Sequence, residues 1–259
     1  MDPSDNGSRA TTSCLIRKAA FLRDWVDKLV GALFSFILGL LKWPAAIAIA
    51  GMTPACAVAF WELLEQAWER EIWASSFGMG FGVVSVAWVF LGRLRIVRFW
   101  RTMEHELTHV LFAWLTFIRV VELRSTDGTL ETEDNSEGHV HLEGSNWLIT
   151  ISPYFFPTAA AVLLAATWAL ASQPTQLAHG LLGAASAFSI VSTWQETHRY
   201  QEDLKGVGFG FSWLFLPGAN LLCYGMLLAY ELGGPDRAVR YAIGVFEVTS
   251  FWVMSAFSV

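Results

Sequence analysis

The fold class this sequence predicts is an all-α polytopic integral membrane protein, with about seven transmembrane helices and a small β insertion. Three observations predict it. Of 259 residues, 54% are hydrophobic and only 15% charged, where an ordinary soluble domain carries about 25% charged residues. Mean hydropathy is +0.43, and several apolar stretches approach the roughly 20 residues a helix needs to cross hydrocarbon. The 13 tryptophans suit the aromatic belts of a membrane–water interface. The formal charge of −6 argues against nucleic acid as a partner, because phosphate binding needs a basic surface.

Residues 1–20 open with the polar, acidic run from Met1 to Ser8. They lack the basic start and short apolar core of a cleaved signal peptide, and a disordered tail is expected. Residues 21–259 are expected to form a single membrane domain. Arg23, Asp24, Asp27 and Lys28 precede an apolar half from Leu33 to Leu41, the pattern of an interfacial helix running into the first span. Gly31, Ser35 and Gly39 form a small-residue stripe suited to close helix packing. Pro44 is expected to open a span to about Leu64, followed by an acidic connector from Glu65 to Glu71.

A Gly-rich span is expected from about Ser75 to Leu91. Its Gly78, Gly80 and Gly82 read as helix packing, since no strand precedes them as a phosphate-binding loop requires. Arg93, Arg95, Arg98 and Arg101 cluster before a helix expected over about 98–118. Residues 119–146 then change character, with seven acidic side chains against two arginines. Val120, Val121 and Leu123 favour a strand, Asp127-Gly128 is a turn signal, and His139 to Leu142 is a second strand pattern. Further spans are expected near 148–171, 177–196, 207–230 and 238–258, the first starting irregularly between Pro153 and Pro157. Cys14, Cys56 and Cys223 are scattered and odd in number, with neither a disulfide framework nor a C-x-x-C site.

The chemistry lies in His105-Glu106-Leu107-Thr108-His109. Helical spacing puts both imidazoles on one face, where they can grip a single zinc ion, with Glu106 placed to take a proton from water. Val110 to Leu115 is apolar, and ionisable groups this close to lipid need a functional reason. Glu104 lies one residue before His105, so it points away from the metal face and is expected at the surface or interface. A third ligand must come from elsewhere. The polar stretch from Thr193 to Leu204 supplies Glu196, His198, Glu202 and Asp203, among which spacing alone does not choose.

At these residues the chain resembles the site-2 protease family of intramembrane zinc metalloproteases, particularly its compact bacterial-type members. The H-E-L-T-H motif is followed by the strand-like Arg119 to Leu123, a span begins near Ser152 to Pro157, and Asp203-Leu204 follows a later helix. The resemblance covers roughly residues 95–230. It implies His105, His109 and Asp203 as ligands of one zinc, and Glu106 as general base. It also implies a transmembrane protein as substrate and a bilayer as surroundings. The family's common second motif is Asn-x-x-Pro-x-x-x-Leu-Asp-Gly, whereas this chain reads Gln201-Glu202-Asp203-Leu204-Lys205-Gly206.

A strand edge beside the motif would hold an unwound substrate in extended form by β-augmentation. Proline substitutions along 119–125 that left folding and cleavage intact would contradict this. His139 and His141 share a strand face and read as exposed loop histidines. His179 has no local partner and reads as a packing or interfacial residue. His198 is a candidate supporter of a zinc ligand. The arginines from 93 to 101 favour the cytoplasmic side, which would set the acidic loop and Asp203 on the opposite side. The family's usual topology puts that loop in the cytosol. Two rival readings are a di-iron lipid-modifying enzyme, for which six histidines are few, and a membrane scaffold that has kept the fold without the chemistry.

Overall fold

The computed structural model of the chain describes residues 4–124, 139–170 and 175–257. It is all-α apart from one two-stranded hairpin. Helix α1 (Ser4–Glu69) is continuous, so from Ser4 onward helix stands where composition leads one to expect a disordered tail. It also runs through Pro44 and Pro54, although Pro44 reads in the sequence as a span's first residue. An interior proline frees a backbone carbonyl, and helices in a membrane tolerate this where neighbouring groups satisfy it.

After a 3₁₀ turn at Ile72–Ala74, α2 (Ser76–Leu91) starts with the Ser75 hydroxyl accepting the Gly78 N–H as an N-cap. Helix α2 packs on α6 (Gln176–Glu196) through glycine. A Cβ on Gly80 would clash with the Gly180 carbonyl oxygen, and one on Gly183 with that of Phe77. Two backbones in near contact explain the glycines here, as the sequence suggests for Gly80. Gly78 instead lies against the preceding turn, and Gly82 has open space.

The motif helix α3 (Arg95–Leu115) ends in a reversal at Thr116–Ile118, where the Ile118 N–H donates to the Ala113 carbonyl. Strands β1 (Val120–Arg124) and β2 (His139–Leu142) then pair antiparallel, with Leu123 opposite Val140 and an irregularity between Val120 and Glu122. The expected Asp127-Gly128 turn lies outside the described residues. Helix α4 (Trp147–Ile151) is capped by the Asn146 side chain, which accepts from the N–H groups of Leu148 and Ile149. It continues into a 3₁₀ turn, Ser152–Tyr154, and meets α5 (Thr158–Leu170) at a bend of 86°. Pro153 and Pro157 flank that bend, as the irregular start expected there requires.

Helix α6 leads through a short loop to α7 (Glu202–Val207), and Gly208 turns the chain with a φ of +98° into α8 (Phe209–Phe257). Helix α8 breaks at Gly233 and Gly234, inside the gap the sequence leaves between its last two expected spans. Its first half packs along α1, with Gly218 set closely against Ile49 and Thr53.

Among the described residues, three helical stretches are long and apolar enough to cross a membrane: Trp25–Glu69, Gln176–Glu196 and Phe209–Ala256, or four if the bent pair counts as one. Their outer faces suit lipid, with Trp194 and Trp213 more than three-quarters exposed. Two buried clusters form the interior. One gathers Phe112, Ile149, Tyr154, Leu204, Phe211 and Phe215 beneath the motif helix, and the other gathers Cys56, Leu63, Phe77, Leu182, Tyr241 and Val245. Cys56 and Cys223 are free thiols, as their scattered spacing suggests.

Candidate metal centre

Residues 105 and 109 lie one helical turn apart on α3, and their imidazoles stand side by side with ring centroids 4.9 Å apart. Across from them, α7 carries Asp203. Its Oδ2 is 3.3 Å from both His105 Nε2 and His109 Nε2. One donor atom from each of the three residues fits within 4.8 Å, and among the described residues this is the one such group. The four alternatives for a third ligand thus separate by geometry. Glu196 pairs with Arg101, Nε to Oε1 at 2.7 Å, as an ion pair without hydrogen-bond alignment. Glu202 is exposed and pairs with Lys205, and His198 is exposed against Tyr200. His198 therefore does not support the centre.

The donor set can be tested for its fit to a cation. His109 Nδ1 is 2.9 Å from the Ile149 carbonyl oxygen. A carbonyl only accepts, so Nδ1 must carry the proton. In the neutral ring Nε2 then bears a lone pair, and it faces a carboxylate oxygen. Two acceptors at that distance repel unless a positive charge lies between or on them, either an imidazolium proton or a metal ion. Two imidazoles and a carboxylate are a common three-ligand set for zinc with one position left open. Burial alone would push the Asp203 carboxyl up, but hydrogen bonds with His105 and His109 outweigh it and hold the group well below the usual carboxylate range. It is therefore ionised at neutral pH, the form that ligates.

Glu106 is buried, and its carboxylate lies near His109 and Asp203 and against the Val140 backbone N–H of β2. The hairpin is thereby tied to the centre through β2. Glu104 is not the surface carboxylate that its position suggests. It is largely enclosed, accepting the Ala159 N–H at 3.1 Å and the Ser189 hydroxyl. The helical offset correctly turns it from the metal face, but that other face is covered by α5 and α6 rather than by solvent. There it satisfies an otherwise orphaned donor at the start of α5. Thr108, inside the motif, is buried and contacts Thr158 on the same helix end.

Polar pairs hold α7 in place. Arg101, one turn before His105, donates to Gln195 Oε1 at 2.7 Å in addition to its pairing with Glu196, while Gln201 donates to Glu196. Lys42 of α1 donates to the Val207 carbonyl at 2.7 Å, at the end of α7 where a cation complements the helix dipole. These pairs put the end of α6 and its loop on the arginine side of α3. Asp203 then returns inward from that loop towards the two imidazoles. His141 is exposed on β2, as the sequence suggests. His179 is not a simple packing residue, because its Nδ1 lies 2.7 Å from Glu231 Oε2 on α8. That partner is 52 positions away, beyond any local signal.

No protein-family model, no curated protein and no solved structure matches this chain.

Proposed function

We propose that this chain is an intramembrane zinc metalloprotease of the site-2 protease type, hydrolysing a peptide bond in or beside a transmembrane segment of a membrane protein. The observation that carries the reading is the convergence of His105, His109 and Asp203 with Glu106 beside them, from positions up to 98 residues apart. His105, His109 and Asp203 would hold one zinc. Bound there, zinc supplies a Lewis acid that lowers the pKa of water from 15.7 towards about 7.

Glu106 takes the proton from the attacking water and later delivers it to the leaving nitrogen, general acid–base work by one carboxylate. Ile149 keeps the His109 lone pair aimed inward by accepting the opposite N–H. The Val140 N–H orients Glu106, and the hairpin that carries it supplies extended backbone against which an unwound substrate pairs. A cavity of about 610 Å³ between α6 and α8, walled by Ile190, Trp194, Trp213 and Leu216, reaches Leu204 and Asn220 beside the centre. Apolar walls of this kind suit side chains arriving from the bilayer.

The proposed topology is multi-pass with seven spans: α1, α2, α3, the bent α4–α5 pair, α6, and the two halves of α8. Helix α2 has 16 residues, about 24 Å at 1.5 Å per residue, so it would cross where the bilayer is thinned or its ends are anchored. A di-iron site would need more imidazoles than the two gathered here.

Cleavage of a single-span substrate by the purified chain in proteoliposomes tests the reading. A chelator is expected to abolish cleavage and stoichiometric zinc to restore it. Cleavage that survives complete metal removal would overturn the proposal.

A further inference from the structure

We propose that Tyr154 is a positioning residue for the metal centre, holding Asp203 through its phenol and His105 through its ring, and that Asn220 fixes Tyr154 in turn. The inference rests on the metal site assigned above, though not on the reaction performed there.

Three groups crowd one atom. Asp203 Oδ2 lies 3.3 Å from each imidazole Nε2 and 3.2 Å from the Tyr154 hydroxyl oxygen. A carboxylate oxygen offers two lone-pair directions, so it cannot serve two imidazole protons and a phenol equally well. With a cation among the three ligands the conflict disappears. One lone pair of Oδ2 turns to the cation and the other accepts the phenol proton. The phenol thereby chooses which carboxylate oxygen ligates and limits rotation of the Asp203 side chain.

The Tyr154 ring also stands edge-on to His105, with centroids 5.4 Å apart and planes at 86°, which restricts rotation of that imidazole. Tyr154 is 0% exposed. Neither water nor substrate reaches it, so it acts only through the ligands it touches.

Tyr154 is itself anchored. Asn220 Nδ2 on α8 donates to the Tyr154 carbonyl at 2.9 Å, and also to Leu216 within its own helix. Four residues before Tyr154 on the same bent segment is Thr150, and just ahead of it Ile149, whose carbonyl accepts from His109 Nδ1. The Ser152 hydroxyl donates to that same carbonyl at 2.8 Å. One short segment, residues 149–154, therefore touches all three candidate ligands. Outer partners of this kind fix ligand orientation, and their loss costs 10–100-fold in metal affinity.

The test uses the full chain purified in detergent, stripped of metal and titrated with cobalt(II) and zinc. Tyr154→Phe removes one oxygen from a packed site and is expected to raise both dissociation constants roughly 10–100-fold. The visible cobalt bands should also shift, which a purely structural loss would not produce. Asn220→Ala keeps the phenol but frees the segment, and is expected to weaken cobalt binding several-fold. It decides the matter if Tyr154→Phe does not fold.

Dissociation constants within twofold of wild type in both variants, with unchanged cobalt bands, would overturn the proposal while leaving the protease reading intact. A wild-type chain that binds cobalt, shows weakened binding in Tyr154→Phe and cleaves nothing would sustain the proposal and refute the protease reading. A wild-type chain that binds neither ion would refute both.

Discussion

Glu106→Gln is expected to keep its zinc and lose roughly 10²–10⁴-fold in kcat, the usual contribution of a positioned general base, or about 3–5 kcal/mol of barrier. The substitution retains shape and the contact with the Val140 N–H, because an amide oxygen accepts as a carboxylate does. It removes only the capacity to take a proton. Glu106 is not among the three ligand residues, so metal content should stay at the wild-type level. Rate and metal content measured on one preparation separate the two roles. Cleavage at the wild-type rate in Glu106→Gln would sink the mechanism.

Asp203→Ala is expected to do the reverse and strip the centre itself. Only two imidazoles would remain. A lost ligand should cost more than the 10–100-fold of a lost outer partner, so zinc affinity should fall by at least about 100-fold, and cleavage with it. Glu202→Ala, one residue away but exposed and paired with Lys205, is the matched control and should change neither quantity. Isothermal titration of the stripped variants with zinc reads both affinities. Wild-type affinity in Asp203→Ala would remove this residue from the site.

The two halves of the centre were unequally legible in the sequence. His105, Glu106 and His109 could be placed because one helical turn separates the imidazoles, and helix geometry is local. Asp203 is 98 residues from His105. The chain offers four candidates within that polar stretch, and only the family resemblance singled one out. Its position depends on contacts that no window of sequence displays: Arg101 with Glu196, and Lys42 with Val207.

Tyr154 and Glu104 show the same limit. The spacing that turns Glu104 off the metal face says nothing of what covers it, and an aromatic between two prolines reads only as an irregular start. The span pattern was more readable. The α8 break falls where Gly233-Gly234-Pro235 interrupts the apolar run, since proline constrains the residue before it and cannot continue the hydrogen-bond ladder. Pro44 misled for a related reason. Proline also suits a helix's first turn, and nothing local distinguishes that position from the interior of a long apolar helix.

The metal content of the wild-type chain, purified without added metal and measured by elemental analysis beside the His109→Ala variant, tests the central claim most directly. The account predicts close to one zinc per wild-type chain and a marked loss in the variant, because His109 Nε2 lies 3.3 Å from Asp203 Oδ2 across the proposed position. Iron in place of zinc, or equal zinc in both preparations, would contradict it.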